Sequence, residues 1–319
     1  VRHRLHEARI ILELHRRDCP LESVVIRGIV ILLLLCANLV FWGTPILLFG
    51  VVKLLTFTSG ARRRVLGILV WLASRWVDGD FLIFDTLLPT KWHVEGPGAL
   101  RYDAQYLVMS NHVSWVDIFA VLRAFHGKSA FLRFFLKSIL IWTPIVGQAC
   151  WALEFPFMKR YSPEYLAKHP EKRGRDLETT RRAMRRYRTL PVTILNYIEG
   201  TRFTEAKRVE QESPYRHLLR PRPGGIAFVL ASLGDQLDAV FDVTIAYPRA
   251  EVTFWQFING RLDRVDIHVR EIAVPPEFFD VAITEPGPER DRFKAWIESV
   301  WREKDELLDR LTKSESPAA

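Results

Sequence analysis

The hydrophobic pattern divides the chain into two unlike parts. Gly28 to Val52 is a run of 25 residues with no Asp, Glu, Lys, Arg or His. As a continuous helix rising 1.5 Å per residue, it is long enough to cross a bilayer core of roughly 30 Å. It is too long and starts too late for a signal peptide, and it exceeds ordinary core helices. Pro45 is expected to interrupt its second half. A second run, Val65 to Val77, has only 13 residues and contains Arg75, so it is not expected to span.

Beyond about residue 80 short apolar segments alternate with amphipathic ones. Lys91–Glu95, Tyr106–Ser110, Val192–Ile198, Phe241–Tyr247 and Val265–Val274 read as strands. The segments at 106 and 192 are apolar throughout, as in strands covered on both faces. Helices are expected at Trp115–Phe125, Asp176–Arg188 and Gly225–Leu233, and a polar surface loop at 161–175. From Glu289 to Leu311, residues Phe293, Trp296, Ile297, Val300, Trp301, Leu307, Leu308 and Leu311 recur at helical spacing, as in a helix packing on the domain, with a membrane-surface or partner helix as the alternative. The fold class is therefore α/β, a mixed sheet flanked by helices, preceded by a membrane-associated helical segment. Residues 1–80 form the anchoring region and 81–319 the folded domain with its C-terminal helix.

Charge sharpens the division. The formal net charge is +8, and +7 of it falls in residues 1–75. Arg16, Arg17 and Arg27 precede the long apolar run, and Lys53 and Arg62 to Arg64 follow it. Cations on both flanks give no positive-inside vote; they suit equally a helix pair dipping into one leaflet with its basic ends at anionic headgroups. The three cysteines, Cys19, Cys36 and Cys150, have no metal-ligand spacing, and Cys36 is expected as a small buried side chain. An odd count without a framework points to a reducing compartment.

Two apolar segments end in polar motifs. The first ends in Asn111-His112 and continues to Asp117. Five residues along a helix rotate by about 140°, so His112 and Asp117 would not meet if both were helical. They meet if His112 precedes the helix and Asp117 lies in its first turn, with Ser114 as N-cap. Asp117 can then accept the Nδ1 proton of His112, leaving Nε2 to take a proton from a hydroxyl. The alternative is a helix cap beside an ordinary loop histidine. No protein nucleophile follows at an evident spacing, so the hydroxyl would be a substrate's. The second motif is Glu199-Gly200-Thr201-Arg202, where Gly200 permits a tight turn and Arg202 offers a fork of donors for phosphate or carboxylate. A third block, Phe157-Met-Lys159-Arg160, begins a basic stretch that continues to Arg188. Without aromatic stacking residues, and beside an apolar anchor, that stretch reads as a solvated or membrane-facing surface rather than a nucleic-acid site.

The order of these blocks resembles the lysophosphatidic acid (1-acylglycerol-3-phosphate) acyltransferase superfamily, PlsC type. N-H-x4-D is matched by Asn111, His112 and Asp117, the arginine block by Phe157–Arg160, and E-G-T-R by Glu199 to Arg202. A fourth block is matched loosely by Val243–Pro248. Ile198 stands where the family often has proline, and Glu154-Phe-Pro-Phe lacks an early glycine. These features look more like the YihG-type bacterial branch and its eukaryotic relatives.

The resemblance implies an enzyme with His112 as general base and Asp117 as its orienting partner. Arg160 and Arg202 would hold an acceptor phosphate, Glu199, Gly200 and Thr201 would shape that site, and Lys159 would assist. It implies no metal and no bound organic cofactor, since acyl-CoA or acyl carrier protein thioester is consumed as substrate. The expected partners are membrane lipids, a lysophospholipid acceptor and the thioester donor, with no nucleic acid. The expected reaction makes phosphatidic acid at the inner, cytoplasmic membrane, with the catalytic domain facing the cytoplasm. Acylation of another lysophospholipid, and a non-catalytic protein binding anionic lipid, are the alternatives.

Overall fold

The computed structural model describes residues 21–158, 184–249 and 251–313. The expected loop at 161–175, most of the expected helix at 176–188, and Lys159 and Arg160 lie outside the described residues.

Two long helices come first. Helix α1 (Leu21–Leu54) contains the whole apolar run, and α2 (Ser59–Leu87) folds back along it. Pro45 does not interrupt α1, which continues through it. Beside the proline, the Thr44 hydroxyl donates to the Val40 carbonyl at 2.7 Å. Thr58 caps α2, its hydroxyl accepting from the Ala61 N–H. Helix α2 passes the boundary drawn at residue 80 and ends at Leu87, so no break separates the helical pair from the domain.

A six-stranded sheet follows. Its strands are β1 (Lys91–Glu95), β2 (Gln105–Ser110), β3 (Leu132–Phe134), β6 (Val192–Tyr197), β7 (Ala239–Ala246) and β8 (Arg264–Glu271), in the spatial order β1-β8-β7-β2-β6-β3. Only the β7–β8 pair is antiparallel. A small two-stranded piece pairs β4 (Leu136–Lys137) with β5 (Phe157–Met158). Between these two run a 3-10 strap (Ser138–Trp142) and helix α4 (Val146–Ala152). Further helices among the described residues are α3 (Val116–Phe125), α5 (Glu205–Glu210), α6 (Gly224–Leu233), α7 (Phe254–Ile258) and α8 (Pro288–Lys313).

Strand β2 is buried almost throughout because helices cover both faces of the sheet. One apolar layer joins Tyr106 and Val108 to α3, β8 and Phe84 of α2. The other joins Leu107 and Met109 to α6 and α8. The apolar face of α8 packs inward as its spacing predicts, with Phe293, Ile297, Val300, Trp301 and Leu308 buried. Lys304 on that face is buried too, paired with Asp242 of β7 at 2.7 Å.

Helix α1 is held along its length. Near its start, Trp255 packs closely against Gly28, and Ile31 is fully buried in the first core layer. At mid-helix, Asn38 bonds the Trp76 carbonyl and Asp80 of α2, both at 2.9 Å. Farther on, Gly43 receives Ile145, Gly50 faces Ala152, and Lys53 pairs with Glu154 at 2.8 Å. The opposite face, including Ile26, Leu33, Phe41 and Leu48, is exposed. Cys36 is exposed rather than buried, because no described element covers the helix there.

Candidate active site

Strand register brings the polar motifs together. Ser110 of β2 stands opposite Tyr197 of β6 and Val243 of β7. His112 and Glu199 each follow two residues past those paired ends, and Tyr247 follows directly after β7. Three neighbouring parallel strands thus deliver their motifs beyond their carboxyl ends, where open α/β sheets hold ligands. Asn111 fastens the loop, its side-chain amide pairing with both backbone groups of Ile245 at 2.9 Å.

His112 stays outside α3 and Asp117 lies in its first turn, the condition under which the two can meet. Nδ1 of His112 is 2.7 Å from Oδ2 of Asp117. The same oxygen accepts the N–H groups of Val113 at 2.6 Å and Ser114 at 2.8 Å. Ser114 does not receive the bond from the third helical residue that a capping box requires; its hydroxyl accepts from Val116 N–H instead. Asp117 therefore closes the helix start and grips the histidine at once. One carboxylate thus makes both the backbone contacts at the helix start and the bond to the imidazole.

Two phenols complete the setting. Tyr247 donates its hydroxyl to Oδ1 of Asp117 at 2.5 Å, so both carboxylate oxygens are occupied. Tyr197 stacks on the imidazole, with ring centres 4.0 Å apart and planes 15° apart. Its buried hydroxyl has no partner among the described residues. Burial, and then the Asp117 charge, raise both phenols well above their ordinary pKa and keep them neutral donors.

The second motif divides by direction. Glu199 turns inward, away from the expected substrate site. Its carboxyl accepts the His112 N–H at 3.2 Å and the Leu219 N–H at 3.3 Å, holding the histidine loop from below. Burial pushes this carboxyl up to about 8 against the pull of those two donors, and the Asp117 charge adds to the rise. Gly200 has φ +71°, a left-handed conformation that a side chain would strain, and it reverses the chain after β6. The turn sends Thr201 and Arg202 outward. Lys207 of α5 fastens them, donating to the Thr201 hydroxyl and the Arg202 carbonyl, each at 2.9 Å. The Arg202 guanidinium lies 5.1 Å over the Trp115 ring. Among the described residues it pairs with no carboxylate.

A cavity of about 290 Å³ joins these groups. His112, Tyr197, Gly200, Thr201 and Arg202 line it, with Trp115. Its other wall is mostly apolar, made by Ile118, Phe134, Phe135, Leu140 and Leu195, with Lys137 and Asn196 as its polar members. The structure thus brings together His112, Asp117, Gly200, Thr201 and Arg202, places Glu199 behind them, and does not describe Arg160 or Lys159. Sequence reasoning missed Tyr197, Tyr247 and Lys137. Lys137 carried a visible signal, a lone amine between the apolar stretches Phe134–Leu136 and Ile139–Trp142. Tyr247 lay within a quoted block with nothing to mark its partner. Among the described residues no group of His, Cys, Asp and Glu is arranged to hold a metal.

The arrangement suits removal of a proton from a substrate hydroxyl beside a bound anion, with an apolar chain along the far wall. Proteins with similar sequences carry acyltransferase names. The acyltransferase family profile matches residues 91–247, the sheet from β1 to the end of β7. Lysocardiolipin acyltransferase 1 of Danio rerio is 27% identical over 308 residues, covering 89% of this chain and 71% of that protein. The probable 1-acyl-sn-glycerol-3-phosphate acyltransferase 5 of Arabidopsis thaliana is 28% identical over 303 residues, covering 89% and 73%. The crystal structure of the 1-acyl-sn-glycerophosphate (LPA) acyltransferase PlsC from Thermotoga maritima superposes with a TM-score of 0.53 at 18% identity, covering 89% of this chain and 95% of that one. That likeness establishes the shared fold. With its outward-facing apolar helix and these lipid-acyltransferase relatives, the chain is membrane-associated. Residues 91–247 thus form an acyltransferase-family domain, and the chain is similar over most of its length to proteins named as lysophospholipid acyltransferases.

Proposed function

We propose that the chain is a membrane-bound O-acyltransferase that moves a fatty acyl group from a thioester to the free hydroxyl of lysophosphatidic acid, giving phosphatidic acid. Nε2 of His112 takes the hydroxyl proton as the oxygen attacks the thioester carbonyl. Asp117 stabilises the imidazolium that forms. The tetrahedral adduct collapses, the C–S bond breaks, and the departing thiolate takes the proton from His112. Arg202 holds the acceptor phosphate, with Arg160 and Lys159 assigned to the same headgroup, and the apolar wall receives an acyl chain. Thr201 and Gly200 shape the phosphate side, and Glu199 acts indirectly by fixing the His112 backbone. No bound cofactor takes part; acyl-CoA or acyl carrier protein is the donor.

The observation carrying this reading is the 2.7 Å bond from His112 to Asp117 in a cavity shared with Arg202. Acylation of another lysophospholipid is the second reading, favoured by the lysocardiolipin acyltransferase among the relatives. Transfer of a radiolabelled acyl group from long-chain acyl-CoA to a panel of lysophospholipids, by wild type and His112→Ala, tests both. Loss of about 10²–10⁴-fold in the variant is expected. Equal rates would remove the base assignment. No product with any acceptor, with firm binding to anionic vesicles, would favour a non-catalytic lipid-binding protein.

Helix α1 is read as lying in one leaflet. Contacts with the rest of the domain near Gly28, Ile31, Gly43, Gly50 and Lys53 tie both halves of the helix to it, which supports this reading. Its exposed apolar face would sink into the headgroup and acyl boundary, with the flanking cations at anionic headgroups. The membrane assigned is the inner, cytoplasmic one, with the site on the cytoplasmic side.

A further inference from the structure

The 3-10 strap Ser138–Trp142 buries none of its side chains, although four of the five are large and apolar. Ile139 is 67% exposed and Trp142 is 78% exposed. Between them Leu140 turns inward to line the cavity, next to Leu136 and Lys137 of β4. One short segment therefore forms a wall of the site and also presents a bare apolar edge, a combination that marks an interaction surface.

The strap is rooted on the membrane helix. Ile145, just beyond it, is held at φ 62° with its methyl against Gly43 of α1, where a Cβ would stand 2.3 Å away. A β-branched residue rarely adopts that backbone conformation, so packing fixes the joint. Helix α4 continues along α1 to the contacts of Gly50 with Ala152 and of Lys53 with Glu154. Phe41 and Leu48 on the outer face of α1, and the half-exposed Trp71 and Trp151, are further uncovered apolar side chains. No described residue covers the strap's own apolar edge.

We propose that the strap dips into the leaflet, with Ile139 and Trp142 among the lipid chains, and that the acceptor lipid enters the cavity sideways past it. Tryptophan suits this depth, its ring in the interface. Lys137 at the strap's start and Arg202 on the facing wall then meet the phosphate at headgroup level, while the acyl chain slides along Leu140 without passing through water. The proposal rests on the acyltransferase reading of the cavity and names the route by which its acceptor arrives.

Two readouts test it. Wild type and Trp142→Phe are reconstituted in phosphatidylethanolamine–phosphatidylglycerol vesicles, with and without phospholipid brominated on its acyl chains. The emission lost in the variant is expected to be emission that the brominated lipid quenches; quenching of that component by aqueous iodide instead would overturn the proposal. This measurement stands whether or not the chain transfers acyl groups. The double variant Ile139→Ser/Trp142→Ser is then compared with wild type on a water-soluble short-chain acceptor and on a long-chain acceptor in vesicles. Loss of about tenfold or more in kcat/KM on vesicles alone is expected. Equal loss on both substrates would make the strap a structural wall, and no loss on either would make it a bystander; each result overturns the proposal. Failure of wild type with every acceptor would instead count against the acyl-transfer reading itself.

Discussion

At the scale of single residues, Asp117 does the most. It accepts from the His112 ring, two backbone N–H groups and the Tyr247 hydroxyl while wholly buried. These donors take the place of the water that burial removes from the carboxylate. Tyr247→Phe removes one donor and leaves Oδ1 bare. A hydrogen bond to a charged group contributes about 1.5–3 kcal/mol, so a lowered Tm is expected. The catalytic effect should be selective: kcat falls, KM for the acceptor holds, and the Asp117→Asn background abolishes the difference. Steady-state kinetics of the single and double variants measure this, and a uniform rise in KM would remove the positioning role. The histidine–aspartate pair was legible in the sequence because both partners lie within one turn of a helix start, where spacing sets geometry. Tyr247 was not, since its partner lies 130 residues away. Nor was the inward turn of Glu199, because a tetrapeptide does not record which side of the strand end is solvent.

At the scale of elements, five of the six strands in the main sheet could be placed from their apolar runs, with ends shifted by a residue or a few. Strand β3 has three residues, and β4 and β5 have two each. So short a segment shows no period, and pairing alone defines it. The continuity of α1 through Pro45 was also hidden, since a proline in isolation predicts a break. Contacts with α2 and α4 on either side of it hold the helix together instead. The Gly43–Ile145 contact joins α1 to the root of the strap, and Gly43→Leu tests that joint. Overpacking there should cost about 1–3 kcal/mol and lower acyl transfer while the protein stays in the membrane fraction. Unchanged Tm and unchanged rate would show that the joint tolerates the added volume.

At the scale of the whole molecule, the anchoring and catalytic regions, separate in the hydrophobic pattern, are one packed body. Ile31 of α1 and Phe84 of α2 lie in the same core layer as the sheet. Hydropathy cannot foresee this, because a run long enough to span reads alike whether lipid surrounds it or a domain lies along one side. The in-plane reading of α1 predicts that its two ends share one side of the membrane. Ser23→Cys and Ser59→Cys should both react with a membrane-impermeant maleimide from the cytoplasmic side in inverted vesicles. Labelling from opposite sides would establish a crossing helix.

The burial of Ile31 also bears on how the chain is made. The side chain comes to rest in the core layer that also holds Ile267 and Val269, strand residues translated more than two hundred positions later. Contacts that distant in sequence form late and slowly. During synthesis α1 must therefore wait with its inner face unmatched, and the bilayer is the one solvent at hand that tolerates such a wait. Lipid would then serve as a holding chaperone for the newborn enzyme before it serves as its reaction medium.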